Sequence, residues 1–136
     1  MPSSEPLVGD RAPPHVTWQY PLRDTERRCF VGHLPGAVSK HRADDIFRLV
    51  RDGVSWEQQE GTPRKTAWMV RPPCSCAYEY SGSEVRPTDF PAWMDDVLAE
   101  LMPLCGFPDR GDWPNSCNLN LYSDGYDSVG WHADDE

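Results

Sequence analysis

The stretch Asp127-Ser-Val-Gly-Trp-His-Ala-Asp-Asp-Glu136 holds a His and an Asp two positions apart. Alternate residues of a β-strand share a face, and two positions span about 6.6–6.8 Å of backbone. On a strand, His132 and Asp134 would point the same way. An imidazole nitrogen and a carboxylate oxygen can converge on one ion at about 2.0–2.2 Å. Mixed nitrogen and oxygen ligation suits a first-row divalent metal such as iron(II). Alone, His-x-Asp is a weak signal, because it arises often by chance and sits comfortably at a surface strand end. Asn120 and Tyr122 strengthen it. They alternate on the preceding strand and so face one side, where an amide and a phenol hydroxyl can hold the oxygens of a small acid. The plainer alternatives are that Tyr122 is an ordinary strand aromatic on the core and that Asn120 stabilises a turn. Cys74-Ser75-Cys76 also suggests a metal, but structural zinc sites leave two or more residues between thiols, and no second pair follows.

These residues need elements to hold them. Cys117-Asn-Leu-Asn-Leu-Tyr122 alternates polar and apolar, the period of a half-buried strand. Ser123-Asp-Gly-Tyr-Asp127 has turn chemistry, and Ser128 to Asp134 reads as the next strand. Earlier strands are expected at Thr66–Val70 and Ala77–Tyr80, on either side of a Pro-Pro-Cys turn. Two helices precede or support them. Ser39–Gly53 places Ala43, Ile46, Phe47 and Val50 at helical spacing, with Leu49 widening the stripe, Ser39 as cap and Gly53 as stop. Asp89–Met102 offers Trp93, Met94, Val97, Leu98 and Leu101, with Pro91 in the first turn and Pro103 at the end. Helices supporting a run of strands make an α+β protein.

The 136 residues suffice for one domain, and six Trp provide material for a core. Fourteen Pro and ten Gly argue for short elements and many loops. No apolar run approaches the ~18 residues of a membrane span, so no membrane role is expected. The opening MPSSEPLVGDRAPPH lacks a secretory pattern. Residues 1–28 read as a disordered arm, and 29–136 as the domain. Five scattered cysteines fit reduced thiols of the nucleus or cytoplasm better than a disulfide framework. The net charge of −9 looks wrong for a nucleic-acid binder. It is unevenly spread, however: residues 1–75 carry eleven Lys and Arg against nine acids, and residues 76–136 carry two Arg against thirteen acids. That acidity is either a solvated surface or the neighbourhood of a cation.

Asn120-Leu-Tyr122, ten residues ahead of His132-Ala-Asp134, resembles the AlkB-type iron(II)/2-oxoglutarate dioxygenases. Asp127-Ser-Val-Gly-Trp-His-Ala-Asp-Asp-Glu136 is close to a signature of the eukaryotic subgroup that dealkylates DNA and RNA. Pro63-Arg64 with Thr66-Ala-Trp68, and Tyr78-Glu-Tyr80-Ser81, resemble the nucleotide-recognition lid of that subgroup. The resemblance runs in matching order from about Phe30 to Glu136. It implies the N-terminal part of a double-stranded β-helix, or jelly roll, with two supporting helices, a lid and an incomplete barrel.

The resemblance also implies roles. His132 and Asp134 would be two ligands of a facial triad for Fe(II), and Asn120 and Tyr122 would contact 2-oxoglutarate. Arg64 would hold the lid or the substrate. Tyr80 would stack on the damaged base with Tyr78 and Ser81 beside it, and Asp135 and Glu136 would lie at the base edge. A carboxylate there favours a cationic alkylated base. The implied reaction uses Fe(II), O2 and 2-oxoglutarate to oxidise the N-methyl carbon, which leaves as formaldehyde. A base in a duplex would first be flipped out. Alkylated DNA or RNA is the implied partner of a monomer. Single strands are favoured, since Glu57 to Thr62 offers no apolar wedge. A second His and a C-terminal Arg pair, which the family uses, have no counterpart, so truncation of an enzyme active only at full length is expected. The alternative is a non-catalytic fragment or interaction module. A dioxygenase acting on protein or lipid fits the lid residues and Asp135-Glu136 less well.

Overall fold

A central strand, β3 (Lys65–Val70), organises the part of the chain that carries the site. Its run Thr66, Ala67, Met69 and Val70 is buried, as expected for a strand covered on both faces. The computed structural model describes residues 7–80 and 83–132. They fall into two compact units, Met1–Ile46 with Pro91–Trp113, and Phe47–Phe90 with Pro114–Glu136.

In the first unit, β1 (Gln19–Asp24) pairs antiparallel with β2 (Cys29–His33), in a register that sets Leu22 opposite Val31. The turn is fixed by Asp24, whose carboxylate accepts from the Arg27 backbone N–H and from its guanidinium, both at 2.9 Å. Arg28 completes the turn with φ 55°. Residues 19–24 are therefore a strand, which corrects the expectation of a disordered arm reaching residue 28. The composition of the segment is loop-like, but pairing with β2 supplies the backbone partners that a lone segment lacks. Trp18 adds a bond from Nε1 to the Leu104 carbonyl at 3.0 Å.

Helix α1 spans Lys40–Gly53, and the Ser39 hydroxyl accepts the Arg42 N–H at 3.1 Å, the expected cap. Its apolar stripe is less covered than its spacing suggests. Ile46, Leu49 and Val50 are half-buried, whereas Ala43 and Phe47 are exposed. The Arg51 guanidinium lies over the Phe47 ring at 5.6 Å. Helix α2 spans Ala92–Leu101 and buries Met94 and Val97. It begins later than expected because Asp89 is already committed elsewhere, and Pro91 caps it in extended geometry. A 3-10 turn over Pro103–Cys105 follows, and Gly106 ends it at φ 83°, a conformation that favours glycine.

In the second unit, β3 pairs antiparallel with β7 (Ser116–Leu121) and parallel with β6 (Pro87–Asp89). The order is β6-β3-β7, a mixed sheet. Strand β4 (Tyr78–Tyr80) forms a separate antiparallel hairpin with β5 (Ser83–Val85). Buried Val85 and Leu119 join β3 in the core. Among the described residues the architecture is mixed α and β with few helices and no closed barrel. The strand expected over Ser128–Asp134 is absent from residues 128–132, which form an irregular segment; 133–136 lie outside the described residues. Period-2 patterning proposes a strand, but a ladder needs a neighbouring edge, and this segment contributes one such bond, from Ser128 N–H to the Pro63 carbonyl at 2.8 Å.

Candidate functional site

Strand β7 presents two faces. Leu119 is buried, while Asn118 and Asn120 share the opposite, open side, and Tyr122, one residue past the strand, is exposed. The antiparallel register sets Thr66 against Asn120 and Trp68 against Asn118. A cavity of about 530 Å³ opens on that side, within the usual range for small-ligand sites. Its walls include Arg64, Thr66, Tyr78, Asn120, Tyr122 and His132. Val85 and Val129 give it apolar surface, and Gln59 to Pro63 form a polar rim.

Arg64 Nε donates to Asn120 Oδ1 at 2.8 Å. Guanidinium nitrogens only donate, so this contact fixes which way the Asn120 amide faces: the oxygen meets Arg64, and the NH2 keeps its two donors for another acceptor. The loop carrying Arg64 is held in turn. Gln58 Nε2 donates to the Thr62 carbonyl at 2.6 Å and to the Arg64 carbonyl at 3.1 Å. Glu57 and Thr66 exchange backbone bonds at 2.9 and 2.8 Å. Thr66 is itself buried, and its Oγ1 meets no hydrogen-bond partner among the described residues. A buried orphan hydroxyl is an exception to the pairing of buried polar groups, and this one belongs to a cavity-wall residue.

His132 is brought to the same cavity by a loop rather than by a strand. The loop leaves β7 through a turn in which Asp127 Oδ2 accepts the Ser123 N–H at 2.6 Å and Asp124 Oδ1 accepts the Tyr126 N–H at 2.8 Å. This is the Asx-type turn chemistry read in the sequence. His132 Nδ1 lies 2.8 Å from the Gly130 carbonyl. A carbonyl only accepts, so Nδ1 carries the proton in that bond, and in the neutral ring the lone pair is on Nε2. A backbone carbonyl orienting a ring in this way is the usual support of a metal-binding imidazole. Next to it, Trp131 is fully exposed.

Of the residues singled out in the sequence, Arg64, Tyr78, Asn120, Tyr122 and His132 converge on one cavity. Tyr80 is placed on β4 by its backbone. Ser81, Asp134, Asp135 and Glu136 lie outside the described residues, and so does the side chain of Tyr80. His132 itself is not on a strand, so the shared strand face expected for His132 and Asp134 has no strand at His132. Among the described residues no group of three His, Cys, Asp or Glu side chains gathers as a metal cluster. The described donor set suits a small acid, with an amide, a phenol and a guanidinium, and it offers one imidazole that could ligate a metal. Sequence reasoning missed Thr66 and Asn118 as cavity residues. Asn118 was accessible, since it continues the alternation of Asn120 and Tyr122 by one step. Thr66 was not, because only the β3–β7 register sets it beside Asn120.

No family model matches the chain. Individual relatives do. Over 110 residues, three quarters of this chain, it is 34% identical to the alpha-ketoglutarate-dependent dioxygenase alkB homolog 3 of Bos taurus. Over the same extent it is 36% identical to the proteins of that name from Rattus norvegicus and Homo sapiens. The chain spans 35–36% of the length of these relatives. With that share of its residues matched, and with five of the motif residues lining one cavity, the similarity supports an AlkB-like 2-oxoglutarate-dependent dioxygenase.

Proposed function

We propose that the protein oxidatively removes alkyl groups from the nitrogens of bases in DNA or RNA, using Fe(II), 2-oxoglutarate and O2. The observation that carries this reading is the convergence of Arg64, Asn120, Tyr122 and His132 on one cavity with an aromatic wall at Tyr78. In this reading the region forms part of a jelly roll, and the hairpin β4–β5 serves as part of a nucleotide-recognition lid.

Each residue has a task. His132 supplies a nitrogen ligand through Nε2, and Asp134 supplies an oxygen ligand. Asn120, held by Arg64, turns its amide donors toward a carboxylate of 2-oxoglutarate, and the Tyr122 hydroxyl takes a second oxygen. A bound iron centre with 2-oxoglutarate and O2 supplies oxidation of the N-alkyl carbon. The Tyr78 ring is backed by Trp68, with centroids 5.1 Å apart and planes at 28°. Such a pair forms a stiff surface for an extruded base, and stacking of this kind contributes about 1–3 kcal/mol per base. Tyr80 stacks on the base with Ser81 beside it. Asp135 and Glu136 accept from the base edge and draw in a cationic alkylated base. Glu57 to Thr62 carries no apolar wedge to part a duplex, which favours single strands. The protein acts as a monomer in the nucleus or cytoplasm.

The test is turnover by the full-length protein with Fe(II), 2-oxoglutarate and oligonucleotides bearing N-alkylated bases, single-stranded and duplex. Succinate and formaldehyde should appear together and should be lost in His132→Ala. Equal turnover by wild type and variant would remove His132 from the metal. Tight binding of the alkylated strand without any turnover would favour an interaction module instead.

A further inference from the structure

Between β3 and β4 the chain makes a turn that the site does not use. Arg71 N–H donates to the Asn115 carbonyl at 2.7 Å, and Cys74 N–H donates to the Arg71 carbonyl at 3.0 Å. Within this turn, Cys74 Sγ and Cys76 Sγ stand 3.0 Å apart. Cys74 is half-buried and Cys76 exposed, so both are accessible to a small oxidant. The turn also touches the cavity wall. Trp68 Nε1 donates to the Cys76 carbonyl at 2.7 Å, Trp68 stacks on Tyr78, and Tyr78 lines the cavity.

We propose that Cys74 and Cys76 are a redox pair, closed to a disulfide by a peroxide and reopened by a small thiol, and that closure shifts the Trp68–Tyr78 wall of the cavity. The first step is attack of the Cys74 thiolate on one peroxide oxygen. The O–O bond breaks, the departing hydroxide takes a proton to become water, and Cys74 is left as the sulfenic acid. The Cys76 thiol then loses its proton to solvent, and its sulfur attacks the Cys74 sulfur. The S–S bond forms, the S–O bond breaks, and the hydroxide leaves as a second water. Two thiols are oxidised, and one peroxide is reduced to two waters.

The geometry gives each sulfur its part. The Cys76 thiol hydrogen-bonds to Cys74, which holds the Cys74 thiol below its ordinary range and Cys76 above it. Cys74 is therefore the first nucleophile. Cys105 and Cys117 are pushed up by burial and are poor competitors. A disulfide joining residues only two apart is strained, and strain makes a bridge easy to reduce. That is the behaviour of a reversible switch rather than of a structural staple. The pair stands independently of the reaction proposed for the cavity, because its chemistry needs neither metal nor 2-oxoglutarate.

The experiment treats the full chain with hydrogen peroxide and follows it by peptide mass and by near-ultraviolet circular dichroism. The expected result is loss of two hydrogens from the peptide bearing Cys74 and Cys76, reversed by dithiothreitol. A dichroism change should accompany it and be absent in Trp68→Phe. Cys76→Ser should stop at a sulfenic acid on Cys74, and Cys74→Ser should react about tenfold more slowly. Bridging of either thiol to Cys29, Cys105 or Cys117, or separate over-oxidation of both thiols, would overturn the pair. A clean Cys74–Cys76 bridge with unchanged dichroism would overturn its link to the cavity wall. Neither readout depends on dealkylation, so failure here leaves the proposed reaction standing, and the reverse also holds.

Discussion

Arg64 Nε and Asn120 Oδ1 are joined at 2.8 Å across 56 positions of sequence. The bond ties the loop ahead of β3 to the open face of β7, and it orients an amide that faces the cavity. Two residues that read separately as a lid residue and a cosubstrate residue thus work as one unit.

That unit predicts coupling. Arg64→Ala and Asn120→Ala should each weaken 2-oxoglutarate binding to the full-length protein, and the double variant should lose less than the two combined. The coupling should be about 0.5–1.5 kcal/mol, the net worth of one hydrogen bond. Arg64→Lys should behave like Arg64→Ala, because a point ammonium does not reproduce the directed Nε donor. Isothermal titration of 2-oxoglutarate across the four proteins measures this. Strict additivity would mean that the two side chains act apart.

Asp24 makes a second prediction, on the hairpin of the other unit. Its carboxyl is held below the ordinary aspartate value of 3.8 by the Arg27 backbone N–H first and the Arg27 guanidinium second. A lowered folded-state pKa means stabilisation that is present above 3.8 and is lost as pH falls through the lower folded value. Asp24→Asn should therefore speed exchange of the Arg27 amide at neutral pH, with the difference from wild type shrinking below about pH 4. Asp24 is only half-buried and sits at the turn, so the effect is local. A difference that grows toward acid would refute the assignment. Hydrogen exchange read by NMR follows it residue by residue.

Much of this was legible in the sequence, and for reasons that particular residues make plain. The alternation Cys117-Asn-Leu-Asn-Leu gave β7 its two faces, because a strand's side-chain period is fixed by its backbone. Ser39 and Gly53 bracketed α1, because caps are local chemistry. The Asp124–Asp127 turn was readable on the same grounds. What needed a partner was not readable. Gln19–Asp24 is a strand only because Cys29–His33 lies beside it, and Pro87–Asp89 only because β3 does. Residues 128–132 carry strand-like patterning but lack such an edge. In the site, the residue types announced their chemistry, and the register supplied Thr66.

Thr66 separates folding from binding in one substitution. Thr66 lines the cavity, and its Oγ1 is buried and meets no partner among the described residues. A buried hydroxyl without a bond is a cost to the folded protein, and a methyl in its place removes that cost at nearly the same shape. Thr66→Val should leave the unfolding free energy unchanged or raise it by up to about 1 kcal/mol. If the hydroxyl receives an oxygen of the acid bound in the cavity, the same change should weaken 2-oxoglutarate about three- to tenfold. Thr66→Ser keeps the hydroxyl and should restore affinity, at some loss of stability from the missing methyl. Urea unfolding and 2-oxoglutarate titration on the three proteins give the two readouts independently. If Thr66→Val lowers stability and affinity together, the hydroxyl is structural and the cavity receives its ligand elsewhere.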